Sequence, residues 1–404
     1  METLTLTGHL LLAWAVIIGV AQGLGFIFKY FRQPLVMGEV IGGILLGPSF
    51  LGLCFPQAKA FIFPFAVVPW IGGIAQVGIV FYMFLIGLDH DGADWRRNGK
   101  STMAISLASI IPPFLLGLAF AVLADATLAG PKVNRAHYAL FVGVSLSVTA
   151  FPVLARILTD TGLRPTPMGH LSLACAAIND VAAWCLLAVV ISLAQARTTD
   201  GVYTLIGVAF YLATMLWVVR PILKKIRFDG YIVLLILMTV SAGLTNLIGI
   251  HAIFGAFLLG AIVPRANTPG GGSFERLETL VRVFLLPAFF AFTGMRTQIN
   301  LLDSPQDWLL CLMVIALATA GKLGGTAIAA KLSGLRWRAA LTLGVLMNTR
   351  GLVELIVLNA GYEMNLISAK LFAMLVVMAL VTTLMTCPLL QGLRRRDPGP
   401  LGAI

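Results

Sequence analysis

The chain has 404 residues, 59% of them hydrophobic and only 11% charged, with a mean hydropathy of +0.95. Apolar residues at that density exclude a soluble two- or three-domain protein and indicate a polytopic membrane protein. The net charge of +11 would suit a nucleic-acid partner only if the positive charges were gathered on one soluble surface, so their placement has to be read first.

A helical crossing takes about 20 apolar residues. In chain order, thirteen such stretches are predicted at 6–28, 34–53, 68–88, 101–124, 137–158, 169–195, 202–220, 230–248, 251–264, 281–295, 307–331, 339–360 and 366–391. Lipid offers no hydrogen-bond partners, so a span is a helix or part of a closed barrel, and barrel strands are only about 10 residues long with alternating polarity. The expected fold class is therefore all-α, with residues 1–404 forming a single transmembrane domain. The connections are too short to hold a soluble regulatory domain. Only Glu2 is charged ahead of the first span, which excludes a basic signal-peptide start, and that span is expected to remain as a helix.

Twenty of the 28 Lys and Arg residues fall on alternate connections, among them Lys29, Arg32, Arg96, Arg97, Lys100, Lys224, Lys225 and Arg394–Arg396. Six fall on the other set, and Lys322 and Arg350 lie within spans. The positive-inside rule then puts the N-terminus outside and the C-terminus in the cytoplasm, as an odd number of spans requires. Charge here reports topology, and no nucleic-acid partner is expected. The five cysteines show no C-x-x-C spacing and read as unpaired thiols in apolar runs. Trp70, Trp95, Trp308 and Trp337 fall near span ends, where interfacial anchors belong.

Two spans contain residues hostile to a helix. The fifth carries Ser145, Ser147, Thr149 and Pro152 near its middle, and the twelfth carries Asn348, Thr349, Arg350 and Gly351. Aligned at an offset of 201, the two share Ala139/Ala340, Leu140/Leu341, Gly143/Gly344, Val144/Val345 and Leu154/Leu355. They are seven spans apart and so cross in opposite directions. Interrupted helices at matching positions of antiparallel halves point to an inverted-repeat secondary transporter with its site where the breaks meet. The repeats are expected at about 34–195 and 251–391.

A carboxylate at bilayer depth is a functional candidate by default. Asp180 lies about eleven residues into the sixth span, with no Lys or Arg between Arg164 and Arg197. It must be protonated, hold a cation, or face a basic residue from another span, and an exchanger needs a group that does these in turn. The neighbouring Asn179 points about 100° away on the helix and suits either direct ligation or a bridge to broken backbone. Thr149 offers a hydroxyl and a carbonyl, hard donors acceptable to an alkali cation. Asp180 and Thr149 are thus the candidate ligands of a transient monovalent cation, with H+ as its competitor. Lys322, mid-span eleven, needs a negative partner, either Asp180 or the C-terminal end of a half-helix. Arg350 and Glu354, at i and i+4, are expected to neutralise each other. Glu39, near the cytoplasmic start of span two, is a candidate for the ion's access path.

These strings resemble a known family, the monovalent cation:proton antiporters of the Nap, Kef and plant exchanger branch. The resemblance rests on Gly38-Glu39-Val40-Ile41-Gly42-Gly43-Ile44-Leu45-Leu46-Gly47-Pro48-Ser49, Phe84–Asp89, Ser147–Leu158, Asn179-Asp180-Val181-Ala182-Ala183-Trp184 and Met347–Leu355. The third and fourth are most similar to plant-type cation/proton exchangers. The resemblance implies the sodium/proton antiporter fold, in which a six-helix core with two unwound, crossing helices stands beside a dimerisation domain, and hence a homodimer. It implies Asp180 as the ion carboxylate, Asn179 as its motif partner, Thr149 on the unwound helix and Lys322 facing the site. A bacterial-type inner or plasma membrane is the expected location. Electrogenic relatives carry Asp-Asp where this chain has Asn179-Asp180, which favours electroneutral exchange. The chain stops at Ile404 without the nucleotide-binding domain of Kef relatives, so no cofactor and no gating by dinucleotide or glutathione is expected.

The expected activity is exchange of K+ or Na+ for H+ by alternating access, in service of pH homeostasis. The alternative is a proton- or sodium-coupled organic-solute carrier on the same fold. An intramembrane aspartyl protease needs two facing Asp residues, and only Asp180 lies deep in a span, so the chain is read as a transporter and not an enzyme.

Overall fold

The computed structural model describes residues 5–395 except 32, 34, 90–98, 125, 132, 196–199, 229, 249–251, 265–266 and 268–272. Arg32, Trp95, Arg96, Arg97 and Arg396 lie outside the described residues. Among those described, the chain is helical apart from one isolated antiparallel bridge between Ala129 and Ile367.

Among the described residues, ten helices are long and apolar enough to cross a membrane, and each coincides with a predicted span. The three predicted spans that remain are the short helix Ala252–Ile262 and two interrupted helices, Arg135–Ser147 with Phe151–Asp160 and Trp337–Met347 with Leu352–Glu363. Trp70, Trp308 and Trp337 are exposed, as interfacial anchors would be.

Two boundaries differ from expectation. Among the described residues, span nine is helical for 11 residues, about 16 Å at 1.5 Å per residue, or half a hydrocarbon thickness. Span ten begins earlier than residue 281: Ser273–Leu280 is already helical and continues through a π-turn at Val281–Leu285 into Leu286–Arg296. Its first turns are polar on one face, so hydropathy understates their length. Arg282 is consequently on the helix, half-exposed and 2.6 Å from Glu278 one turn back.

The chain forms two compact units. The first comprises Met1–Leu24, Glu39–Asp91 and Ile191–Arg296. Within it, Val68–Asp89 and Ala252–Ile262 approach backbone to backbone: a Cβ on Gly87 would lie 2.8 Å from Ala261 N and 3.0 Å from Gly260 Cα. Small residues permit such contact where lipid supplies no drive for helices to associate.

The second unit comprises Gly25–Gly38, Gly92–Val190 and Thr297–Ile404, and so holds spans four, five, six, eleven, twelve and thirteen. At one end, the connection after span four joins the connection after span twelve, with Gly130 N–H donating to Leu366 O (3.2 Å) and Ser368 N–H to Leu128 O (3.0 Å). Gly351 in the second break has φ 137° and ψ −123°, and a Cβ there would also sit 3.0 Å from Val153 Cγ2. Gly351→Ala is therefore expected to cost about 1–3 kcal/mol, read as a lowered thermal unfolding midpoint in detergent micelles.

Candidate functional site

The first break is one that proline chemistry suits. Pro152 has no N–H to donate back to Val148, and proline is tolerated in a helix's first turn. The helix stops at Ser147, runs extended through Val148 (ψ 142°) and Ala150 (ψ 95°), and restarts at Phe151. The second break ends Trp337–Met347 at Asn348 and restarts after Gly351.

An interrupted helix leaves donors and acceptors without intrahelical partners. Here the first break supplies donors to the second: Ala150 N–H donates to Thr349 O (3.0 Å), and Thr149 Oγ1 donates to Met347 O (3.1 Å). The two interruptions meet, as the sequence pattern predicts for breaks at matching positions.

Two buried cations hold the open carbonyl end of the first half-helix. Arg350 Nη1 donates to Ser145 O (2.9 Å) and Nη2 to Leu146 O, while Lys322 Nζ donates to Ser147 O. Positive charge at a helix C-terminus is favourable, and this explains how two cations persist in the unit's interior. Arg350 Nη1 also donates to Glu354 Oε2 at 2.7 Å, the expected i,i+4 pair, and its main-chain N–H donates to Thr383 Oγ1 (3.0 Å). Lys322 sits on a π-turn, Ala320–Gly324.

Asp180 is completely buried, and neither carboxylate oxygen is hydrogen-bonded among the described residues. The groups facing it are the Phe151 N–H, at the positive start of the second half-helix but short of full hydrogen-bond geometry, and Lys322, within electrostatic reach. Asn179 Nδ2 donates to Ser109 Oγ (2.7 Å) and Thr149 Oγ1 (3.1 Å), so the amide bridges span four to the first break. Lys322, Arg350, Glu354 and Asp180 are all fully buried, two positive and two negative groups.

Asp180, Asn179, Thr149, Lys322, Arg350 and Glu354 thus lie in one unit, five of them linked to the breaks by hydrogen bonds and Asp180 facing Phe151 and Lys322. Glu39 belongs to the first unit. The sequence reading makes it a candidate for the access path; it is only 8% exposed, and the field of Arg282 reaches it. Two polar partners went unnoticed in the sequence. Ser109 could have been found from Thr102, Ser106 and Ser109, which form a buried polar stripe at i, i+4 and i+7 on span four. Thr383 lies in an ordinary Thr-rich turn of span thirteen and carries no comparable signal.

Comparison with known proteins gives consistent matches. The family model described as sodium/hydrogen exchanger, transmembrane, matches residues 13–392. The chain is 42% identical over 386 residues to the Na(+)/H(+) antiporter NhaS4 of Synechocystis, covering 93% of this chain and 94% of that protein. It is 40% identical to Cation/H(+) antiporter 20 of Arabidopsis thaliana over 96% of this chain, which spans about half (49%) of the plant protein. Among solved structures, the sodium proton antiporter MjNhaP1 from Methanocaldococcus jannaschii superposes with a TM-score of 0.60 over 100% of this chain and 99% of that one, at 16% identity, a likeness of fold.

Proposed function

We propose that this chain, which belongs to the transmembrane sodium/hydrogen exchanger family, is a secondary antiporter that exchanges K+ or Na+ for H+ one for one at Asp180. The observation that carries this reading is a buried carboxylate whose two oxygens are unbonded, set beside the crossing of two interrupted helices. Such a group is costly as a bare anion and is relieved by a proton or by an alkali ion. One site that holds either ligand, but not both, enforces exchange.

Thr149 is the second candidate ligand. Its hydrogen is committed to Met347 O and one lone pair to Asn179, which leaves the other lone pair for a cation. Lys322 and Arg350 are each anchored on half-helix carbonyls and keep their charge in this scheme. Loading Asp180 with H+ or with a monovalent cation then gives the same net charge, so the cycle is electroneutral. Glu39, in the first unit, is assigned to the access path. The repeats at about 34–195 and 251–391, movement of the crossing unit between the two faces, and assembly as a homodimer complete the reading. The distribution of Lys and Arg supports an N-out, C-in orientation in a bacterial-type inner or plasma membrane.

In proteoliposomes with an imposed pH gradient, Na+ or K+ is expected to dequench a pH-sensitive dye and choline to leave it unchanged. Absence of a response to both alkali ions would overturn the proposal. Cation-driven current on a solid-supported membrane would reject the electroneutral version.

A further inference from the structure

Ser109 and Thr149 approach Asn179 from two different helices, and the hydrogen of each hydroxyl is already spent. Ser109 Oγ donates to Ser106 O (2.8 Å) and Thr149 Oγ1 to Met347 O (3.1 Å). A carbonyl only accepts, and a hydroxyl carries a single hydrogen, so both hydroxyls turn lone pairs toward residue 179. The side chain there must bring two donors. The Asn179 amide does, through the two hydrogens of Nδ2, at 2.7 and 3.1 Å. A flipped amide would set its oxygen against two lone pairs. A carboxylate brings no donor, and a protonated carboxyl brings one. All three side chains are fully buried, so bulk solvent does not reach them to make up the difference.

We propose that Ser109 is a positioning residue for the exchange reaction: with Thr149 it forms a two-acceptor socket that accepts an amide and rejects a carboxylate at position 179, leaving Asp180 the only titrating acid of the pair. This deepens the assignment of Asp180 as the exchange carboxylate and rests on it. Asn179 is thereby held as a strut between span four and the first break, next in sequence to the residue that carries the ion. Converting Asn179 to Asp cannot by itself install a second working acid, because the socket admits that side chain only when protonated, and then satisfies one contact of two. Removing the Ser109 hydroxyl changes the sign of the effect. With Asn at 179 it orphans an amide hydrogen, and with Asp at 179 it removes one opposed lone pair while Thr149 still accepts the single acid proton.

The test is a double-variant cycle on the full-length chain, using Ser109→Ala, Asn179→Asp and their combination, with Ser109→Thr as the conservative control. Thermal unfolding in detergent micelles reads the socket without any transport. Ser109→Ala is expected to lower the midpoint of the parent chain and to raise that of Asn179→Asp, whereas equal shifts in both backgrounds would overturn the socket. Proteoliposome dequenching titrated with Na+ and K+ reads the positioning role. Ser109→Ala is expected to raise the half-saturating cation concentration about fivefold, the loss of one hydrogen bond, with Ser109→Thr restoring it. An unchanged half-saturation in Ser109→Ala would overturn the positioning role. If the parent chain exchanges neither ion, the exchange reading falls, and the unfolding cycle still decides the socket.

Discussion

Asp180→Asn is expected to fold as well as the parent chain, or better, and to lose exchange to the level of empty liposomes. The usual objection to replacing a buried residue is that its bonds are lost with it. Asp180 makes no hydrogen bond through either oxygen among the described residues, so the near-isosteric amide forfeits none. It also removes a charge that burial penalises, while Lys322 keeps the Ser147 carbonyl as its partner and is not stranded. The thermal midpoint should therefore hold or rise. Transport should fall by more than about 100-fold, because an amide neither binds a proton near neutral pH nor supplies the negative charge an alkali ion needs. The two readouts together are decisive: exchange retained in a folded Asp180→Asn would remove Asp180 from the mechanism.

Arg350→Met should show the opposite pattern, a large loss of stability whatever its effect on transport. The substitution removes the partner of Glu354, the donors to Ser145 O and Leu146 O, and one of the two cations on the first half-helix. Stranding one member of a buried ion pair costs about 3–5 kcal/mol. Glu354→Gln added to Arg350→Met removes the stranded charge and should recover much of that loss. The part not recovered belongs to the two carbonyls, at about 1–3 kcal/mol for each group left unsatisfied. Denaturant or thermal unfolding of the single and double variants in micelles checks this. A double variant no more stable than Arg350→Met would show that Glu354 is not held by Arg350's charge.

Much of the fold could be read from residue order because lipid enforces it: long apolar runs must be helices, and the polar clusters beside Pro152 and Gly351 mark the two that are interrupted, whereas Pro112, Pro113 and Pro388 lie in continuous helices. Where span ten begins could not be read, because Ser273–Leu280 is amphipathic and its apolar face is legible only by period. Asp180 and Lys322 stood out as charges without local partners. Glu354 was visible as Arg350's partner because that contact is four residues away. The contacts from Arg350 to Ser145 and Leu146 cross 205 and 204 positions and depend on how two helices cross, which no local pattern encodes. Ser109 fell between these cases: its stripe was visible, but its contact with Asn179 is a matter of packing.

The bonding between the two interruptions bears on how such a chain can change over generations. Straightening one of them would withdraw the groups that Met347 and Thr349 depend on and leave those buried carbonyls without their partners. Single steps away from this arrangement are thus penalised in both halves at once, through main-chain groups at Ala150, Met347 and Thr349 and one side chain, the Thr149 hydroxyl.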